Sequence, residues 1–193
     1  MLNDLSSPLA LLRTRRSSRP RDLADPGPDE AQLRQILEIA ARTPDHGKLA
    51  PWRFLHIARD RREAFAALLE TAYRADNHDP GRLEIEAVHR FALQAPTLVV
   101  VLSAPVEETK IPAWEQQLSC GAACMNLLLA AHALGFGAGL VTGWAAYSPH
   151  VLRGLGRPES ERIAGFVFIG TPATDPEDRP RPTLEQVVSE WAP

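Results

Sequence analysis

The run Thr97–Leu102 is the feature that most constrains what this chain can fold into. It follows Pro96 directly and reads Thr-Leu-Val-Val-Val-Leu, a β-branched run without alternation of polar and apolar side chains. A strand of this kind is covered by other parts of the protein on both of its faces. We therefore predict a sheet wrapped by helices, in an α+β arrangement of two or three layers.

A second predicted element is an amphipathic helix from about 29 to 41. Its apolar positions recur at i, i+3, i+4 and i+7, and they are Leu33, Ile36, Leu37 and Ala40. Pro28 suits the first turn of this helix, and Thr43 before Pro44 is biased out of the helical region, so the helix ends there.

The longest predicted helix runs from about 113 to 134 and ends at Gly135. Its apolar part is interrupted by Asn126 and His132 and is shorter than the roughly 20 residues that span a bilayer, so we predict a buried helix. A helix that is apolar on nearly all sides must be covered, and we expect a second copy of the chain to cover it. The small residues that permit a close approach are Gly121, Ala122, Ala123, Ala130 and Ala131.

The remaining strands complete the predicted sheet. They are expected at about 52–58, 137–142 and 163–170, in addition to 97–102. No repeat and no interdomain linker interrupts the chain. We therefore predict one domain over residues 1–193, built on a mixed sheet of four to five strands wrapped by helices.

Bulk composition excludes several classes of protein. The formal net charge of -3 argues against a general nucleic-acid binder, and the first 12 residues lack the pattern of a secretory signal. The two cysteines, Cys120 and Cys124, lie one helical turn apart among small residues, which is typical of packing. We expect a cytoplasmic protein that has no membrane segment.

Two polar segments are the candidates for binding. Arg15, Arg16 and Ser17 offer charge-assisted and hydroxyl hydrogen bonds, and guanidinium geometry suits a phosphate. The second segment, 41–54, is a loop that contains Arg42, His46 and Lys48 and leads into a strand. By itself, the first segment would also fit a flexible basic arm, and the second a polar surface turn.

Other familiar sites are excluded by spacing. The glycines from Gly135 to Gly139 follow a helix and precede a strand, which is the reverse of a dinucleotide-binding loop. They fit a helix stop and close backbone packing, or an approach to a flat ligand. The cysteines and histidines have no zinc-site spacing, and no Gly-x-Ser-x-Gly elbow is present.

In this order, the segments resemble the nitroreductase family over nearly the whole chain, most closely its small bacterial members. The matching pieces are Arg15–Ser17, 33–40, Ala41–His46 with Pro51–Phe54, Pro112–Gln116, Asn126–Ala131 before Gly135–Gly137, Phe168–Pro172 and Arg181–Val188. The resemblance implies an α+β fold, a homodimer with shared sites, and FMN as cofactor with NADH or NADPH as electron donor. The implied activity is reduction of a small acceptor, such as a nitroaromatic compound or a quinone, by hydride transfer without a catalytic side chain.

The resemblance also assigns roles to individual residues. Arg15, Arg16 and Ser17 would hold the ribityl phosphate, with added charge from Arg181 or, in its place, Arg179. Arg42, His46 and Lys48 would reach the flavin of the opposite subunit, and the run Leu140, Val141, Thr142 and Gly143 would lie along the isoalloxazine ring. This chain departs from its relatives at Ala50, where many have Gln or Asn, and at Val141, where compact members have a polar side chain.

Two alternatives share the same residues. A carrier or sensor would hold FMN without turnover. A domain of another kind would use the N-terminal arginines to bind nucleic acid or an acidic partner.

Overall fold

The computed structural model describes residues 1–192, so Pro193, the last residue of the predicted domain, lies outside the described part. The strands are β1 (Leu23–Ala24), β2 (Trp52–Ile57), β3 (Thr97–Ser103), β4 (Gly137–Val141) and β5 (Arg162–Pro172). The helices are α1 (Pro8–Thr14), α2 (Glu30–Ala40), α3 (Arg62–Asp76), α4 (Arg82–Leu93), α5 (Ala113–Ala133), α6 (Trp144–Tyr147), α7 (Pro149–Gly154) and α8 (Leu184–Val187). The predicted α+β class and the strand count are confirmed.

The five strands form one sheet in the order β1-β5-β3-β2, with β4 also paired to β5. Every pairing is antiparallel, so the expectation of a mixed sheet is wrong in this respect. The reason lies in the connections and in the order of the strands. The chain passes from β2 to β3 through two helices, α3 and α4, which pack together and return it to the same end of the sheet. The single-helix crossover through α5 does make β3 and β4 run in the same direction, but β5 lies between them and pairs antiparallel with both.

Strand β3 lies at the centre and is buried along its whole length, as its composition predicts. Its side chains alternate between two apolar cores. Leu98, Val100 and Leu102 belong to the core under α3 and α4, whereas Val99 and Val101 belong to the core under α2 and α5. The sheet is therefore the middle layer of three.

Helix α5 has a buried face and an open face. The prediction that its small residues permit the close approach of a second copy of the chain is therefore wrong for three of the five. Ala123, Ala130 and Ala131 are at most 2% exposed and pack inside their own chain. Five of the residues that remain exposed along the helix form what we call the α5 strip: Trp114, Leu118, Gly121, Ala122 and Met125.

Strand β1 and helix α6 are short elements that leave no signal in the sequence. Strand β1 pairs with residues 171–172 of β5, and α6 follows β4 directly. Both are too short to produce a readable periodicity. Within residues 1–192, the structure contains no helix with the length and apolarity needed to cross a membrane.

Candidate functional site

The Arg-Ser segment leaves α1 and runs against the start of β4. The backbone N–H of Ser18 donates to the carbonyl of Ala138 over 3.0 Å. A Cβ atom on Gly139 would collide with the carbonyl oxygen of Ser18. The approach is therefore possible only because residue 139 is glycine.

Four arginines converge beside this segment, and we call Arg15, Arg16, Arg179 and Arg181 the guanidinium cluster. The pKa of Arg15 is lowered, chiefly by burial and then by the charges of Arg181, Arg16 and Arg179. The Nη1 atom of Arg15 donates to Ser17 Oγ over 3.2 Å. In residues 1–192, no carboxylate lies within 4 Å of the Arg15 or Arg16 guanidinium, and Arg181 reaches Asp178 only at 3.6 Å. Such a cluster favours an anion.

A cleft of about 510 Å³ opens beside the cluster, and we call it the β4 cleft. Its lining comes from Arg16–Pro20, Asp22, Gly139–Val141 and Thr174–Glu177. The tail is fixed there because Arg16 Nε donates to the carbonyl of Glu177 over 2.6 Å. The volume lies within the ~300–1,000 Å³ of small-molecule and cofactor sites. The lining carries Arg16 and Arg19 but also Asp22, Asp175 and Glu177, so a phosphate fits at the guanidinium cluster beside the cleft, and a flat ring fits against the edge of β4.

The four-residue run at the end of β4 does not line this cleft as one unit. Leu140 and Val141 do line it. Thr142 instead lines a separate cavity of about 280 Å³, together with Tyr73 and Trp144. Gly143 has a left-handed φ of 96°, which turns the chain into α6.

The loop from 42 to 50, which we call the His46 loop, is held by one face of α5. His46 Nδ1 lies 2.8 Å from Glu115 Oε2, and Ser119 Oγ donates to the carbonyl of Pro44. Two helical turns further along α5, Asn126 Nδ2 donates to Thr43 Oγ1 over 2.9 Å. None of the residues that line the β4 cleft in the described structure belongs to this loop. Within one chain, the loop that carries Arg42, His46 and Lys48 therefore does not line the cleft beside Arg15–Ser17.

The backbone of the His46 loop is tightly wound. Gly47, Lys48 and Ala50 have φ values of 77°, 57° and 47°, all in the left-handed region. The carboxylate of Asp45 accepts from the N–H of Ala50 over 2.6 Å and closes the turn. Left-handed backbone at non-glycine residues costs on the order of 1 kcal/mol each and persists where the surroundings impose it. The hydrogen bond from Ala50 to Asp45 holds the left-handed residues, and the contacts with α5 hold the segment that precedes them.

The relatives of the chain decide its family. The sequence profile of the Nitroreductase family matches residues 12–171. The protein belongs to the nitroreductase family. The resemblance stated from the sequence is therefore confirmed. YdjA of Escherichia coli K12, provisionally named an NAD(P)H nitroreductase, is 38% identical over 164 residues, which are 85% of this chain and 87% of YdjA. A provisionally named NAD(P)H nitroreductase of Haemophilus influenzae is 35% identical over 165 residues, or 84% of this chain and 87% of the relative.

Solved structures show the same nitroreductase fold. A nitroreductase-like family protein from Bacillus cereus superposes with a TM-score of 0.81 at 23% identity and covers 96% of each chain. A nitroreductase from Desulfovibrio desulfuricans, named provisionally and crystallised in complex with FMN, has a TM-score of 0.72 and 26% identity. The match covers 97% of this chain and 99% of that one.

Sequence reasoning missed two buried polar residues beside the guanidinium cluster. Ser18 Oγ and His132 Nε2 are buried and have no hydrogen-bond partner within residues 1–192. His132 Nδ1 donates to the carbonyl of Phe136 over 3.1 Å, and burial, together with the charge of Arg15, lowers the pKa of His132 to about 4. Ser18 adjoins a predicted site residue and could have been included. His132 stands in an apolar run that gives no such signal.

Proposed function

We propose that this nitroreductase-family protein is an FMN-dependent NAD(P)H oxidoreductase that reduces small electrophilic acceptors such as nitroaromatic compounds or quinones. The observation that carries the proposal is the guanidinium cluster, which lies beside the β4 cleft without a carboxylate close to Arg15 or Arg16. The relatives named as NAD(P)H nitroreductases and the FMN complex from Desulfovibrio desulfuricans support the two cofactors.

Arg15, Arg16 and Ser17 would hold the phosphate of FMN, with Arg181 as a further cation. The guanidinium groups repel one another, and a phosphate would offset that repulsion with charge-assisted hydrogen bonds. The buried hydroxyl of Ser18 lies beside Ser17 and offers one more donor.

Leu140 and Val141 would lie along the ring system from the floor of the β4 cleft. Thr142 and Gly143 would follow at its edge, where the chain turns into α6. Val141 has no polar side-chain atom, so hydrogen bonds at this edge would come from backbone N–H and C=O groups.

The protein would act as a homodimer in which the His46 loop of one subunit completes the site of the other. The separation of this loop from the β4 cleft within one chain supports this arrangement. The α5 strip supports it as well, because Trp114 and Leu118 are 66% and 55% exposed on a helix whose other face is buried. Arg42 or Lys48 would then place positive charge near the flavin N1–C2 edge.

When bound, FMN supplies the hydride and electron chemistry, so the chain provides binding, orientation and charge. The two substrates would occupy the same cleft in turn, in a ping-pong sequence. No side chain is required as a nucleophile in this sequence of steps.

Titration of the purified protein with FMN and with riboflavin tests the proposal. Flavin fluorescence should be quenched at micromolar FMN, and riboflavin should bind more weakly because it lacks the phosphate. Steady oxidation of NADH or NADPH in the presence of a quinone should follow. Binding without turnover would favour a carrier or sensor, and absence of FMN binding would refute the proposal.

A further inference from the structure

A second cleft lies on the other side of β1, where the chain begins α3. Asp22 lines the β4 cleft, whereas Leu23 and Ala24 line this one, which has a volume of about 330 Å³. We call it the α3 cleft, and its remaining lining residues are Asp25, Arg59, Arg62, Glu63, Leu93, Ala95 and Pro96. None of the roles proposed above uses it.

The floor of the α3 cleft contains a buried cation. Arg62 is 4% exposed, and its Nη2 atom donates to the carbonyls of Gln94 and Ala95 over 2.7 and 2.8 Å. Its Nη1 atom is buried and has no partner among residues 1–192. A buried guanidinium that lacks an anionic partner retains a large unmet electrostatic demand.

The groups around Arg62 do not supply an anion that would stabilise its charge. Burial and then the charge of Arg59 lower the pKa of Arg62 to about 10, which leaves it charged at neutral pH. The ring of Phe168, whose centroid lies 5.9 Å from the guanidinium carbon, offers only a weak cation–π contact. Arg62 also opens α3, whose N-terminus has no side-chain cap, and the dipole of a helix attracts anions at that end.

A second guanidinium at the rim can be recruited by a ligand. Arg59 donates from Nη1 and Nη2 to the two oxygens of Asp25 over 2.7 and 2.9 Å. The side chains of this pair are 74% and 59% exposed, and an exposed ion pair contributes little free energy. A ligand carboxylate could therefore compete with Asp25 for Arg59.

We propose that the α3 cleft binds a small organic monocarboxylate, whose carboxylate lies between Arg62 and Arg59 and whose aliphatic part lies against Leu93 and Pro96. The volume is at the lower end of the ~300–1,000 Å³ of ligand sites, so the ligand is small. Asp25 and Glu63 face the same cleft, so a doubly charged phosphate meets more repulsion there than a monocarboxylate does.

An NMR titration of the full-length protein with hexanoate, in the presence of saturating FMN, tests this site. We expect saturable shifts of the backbone amide signals of 23–25, 59–63 and 93–95, without a change in the flavin absorption spectrum. Hexanamide, which has the same apolar body without the charge, should bind at least ~10-fold more weakly. Equal binding of hexanamide, or shifts confined to the β4 cleft, would overturn the proposal.

Three variants make the test specific. Arg62→Met should abolish the shifts. Arg59→Gln should weaken the binding of hexanoate by several-fold, and because Arg59 is exposed, this change leaves the buried contacts intact. Arg61→Gln is the matched control, since Arg61 lies in the same turn, is 77% exposed and does not line the cleft. If Arg61→Gln weakens hexanoate binding as much as Arg59→Gln does, the effect comes from the loss of any nearby positive charge, and the proposed site is refuted. Tighter binding of inorganic phosphate than of hexanoate at these residues would refute the ligand class.

Discussion

Arg15 is a partly buried cation whose nearest charged neighbours are cations too. Arg15→Ala should weaken FMN binding by about tenfold to a hundredfold, because a lost charge-assisted contact costs roughly 1.5–3 kcal/mol. Fluorescence titration measures the change, and riboflavin affinity should change far less. Arg13→Ala, at an exposed position in the last turn of α1, is the control. Unchanged FMN affinity in a folded Arg15→Ala protein would remove Arg15 from the site.

His132 should make the stability of the fold depend on pH. Its pKa is about 4 in the folded protein, against an ordinary value of 6.5, because it is buried beside Arg15. The unfolded chain therefore binds a proton between pH 6.5 and 4 that the folded protein excludes. The contribution to stability is complete above pH 6.5 and declines as the pH falls, by roughly 2–3 kcal/mol at pH 4.5.

Urea unfolding of the wild type and of His132→Gln at pH 7 and at pH 4.5 measures this contribution. Other groups titrate in the same range, so the difference between the two proteins is the relevant quantity. The wild type should lose more stability on acidification than the variant. His78→Gln, at an exposed position, tests for a general effect of removing a histidine. Parallel pH dependence of wild type and His132→Gln would contradict the assignment.

At the level of residues, sequence reasoning selected side chains whose functional groups suit a ligand. It missed side chains that are distinguished only by their burial in the folded protein. Arg15–Ser17 stand out because guanidinium and hydroxyl groups suit a phosphate. Ser18 and His132 are set apart by burial without a partner, which is a property of packing. The proximity of Arg179 and Arg181 to Arg15 depends on the path of a tail more than 150 residues away, which no local pattern reveals.

At the level of elements, β4 depends on its contact with the Arg-Ser segment. Gly139→Ala would place a methyl group against the carbonyl oxygen of Ser18, so the segment or the strand must shift. We expect a loss of about 1–3 kcal/mol in the free energy of unfolding and weaker FMN binding. Gly81→Ala is the control, because a Cβ there meets only the flexible side chain of Glu84 at 3.5 Å. Equal stabilities of the two variants would show that the close approach is unimportant.

Elements with a long periodic or apolar pattern were predicted within one or two residues, such as α2, α5 and β3. The direction of strand pairing was not predicted, because it depends on which strands become neighbours: β3 and β4 run in the same direction, but β5 lies between them and pairs antiparallel with both. The difference between the expected mixed sheet and the antiparallel one therefore arises from the order of the strands in the sheet. The short β1 and α6 are determined by their neighbours and leave no pattern of their own.

The whole molecule exposes apolar surface where a second copy would fit. The α5 strip carries Trp114, Leu118 and Met125, and the outer face of this helix faces solvent in a single chain. Contiguous apolar patches of this kind mark contact sites in proteins. The strip lies on the same helix that holds the His46 loop through Glu115, so dimerisation would bring that loop to the partner.

Gly121→Gln should separate dimerisation from folding. A Cβ on Gly121 meets no atom within 4 Å in one chain, and glutamine favours a helix over glycine by up to about 1 kcal/mol, so the single chain should fold. In a dimer that packs through the α5 strip, the long polar side chain would clash. Sedimentation at low micromolar concentration should give a dimer for the wild type and a monomer for Gly121→Gln, and FMN affinity should fall together with dimerisation. Ala64→Gln, at an exposed position of α3 in the opposite helix layer, should remain dimeric. A Gly121→Gln monomer that binds FMN as tightly as the wild type would refute the shared site, and a wild-type monomer would refute the interface itself.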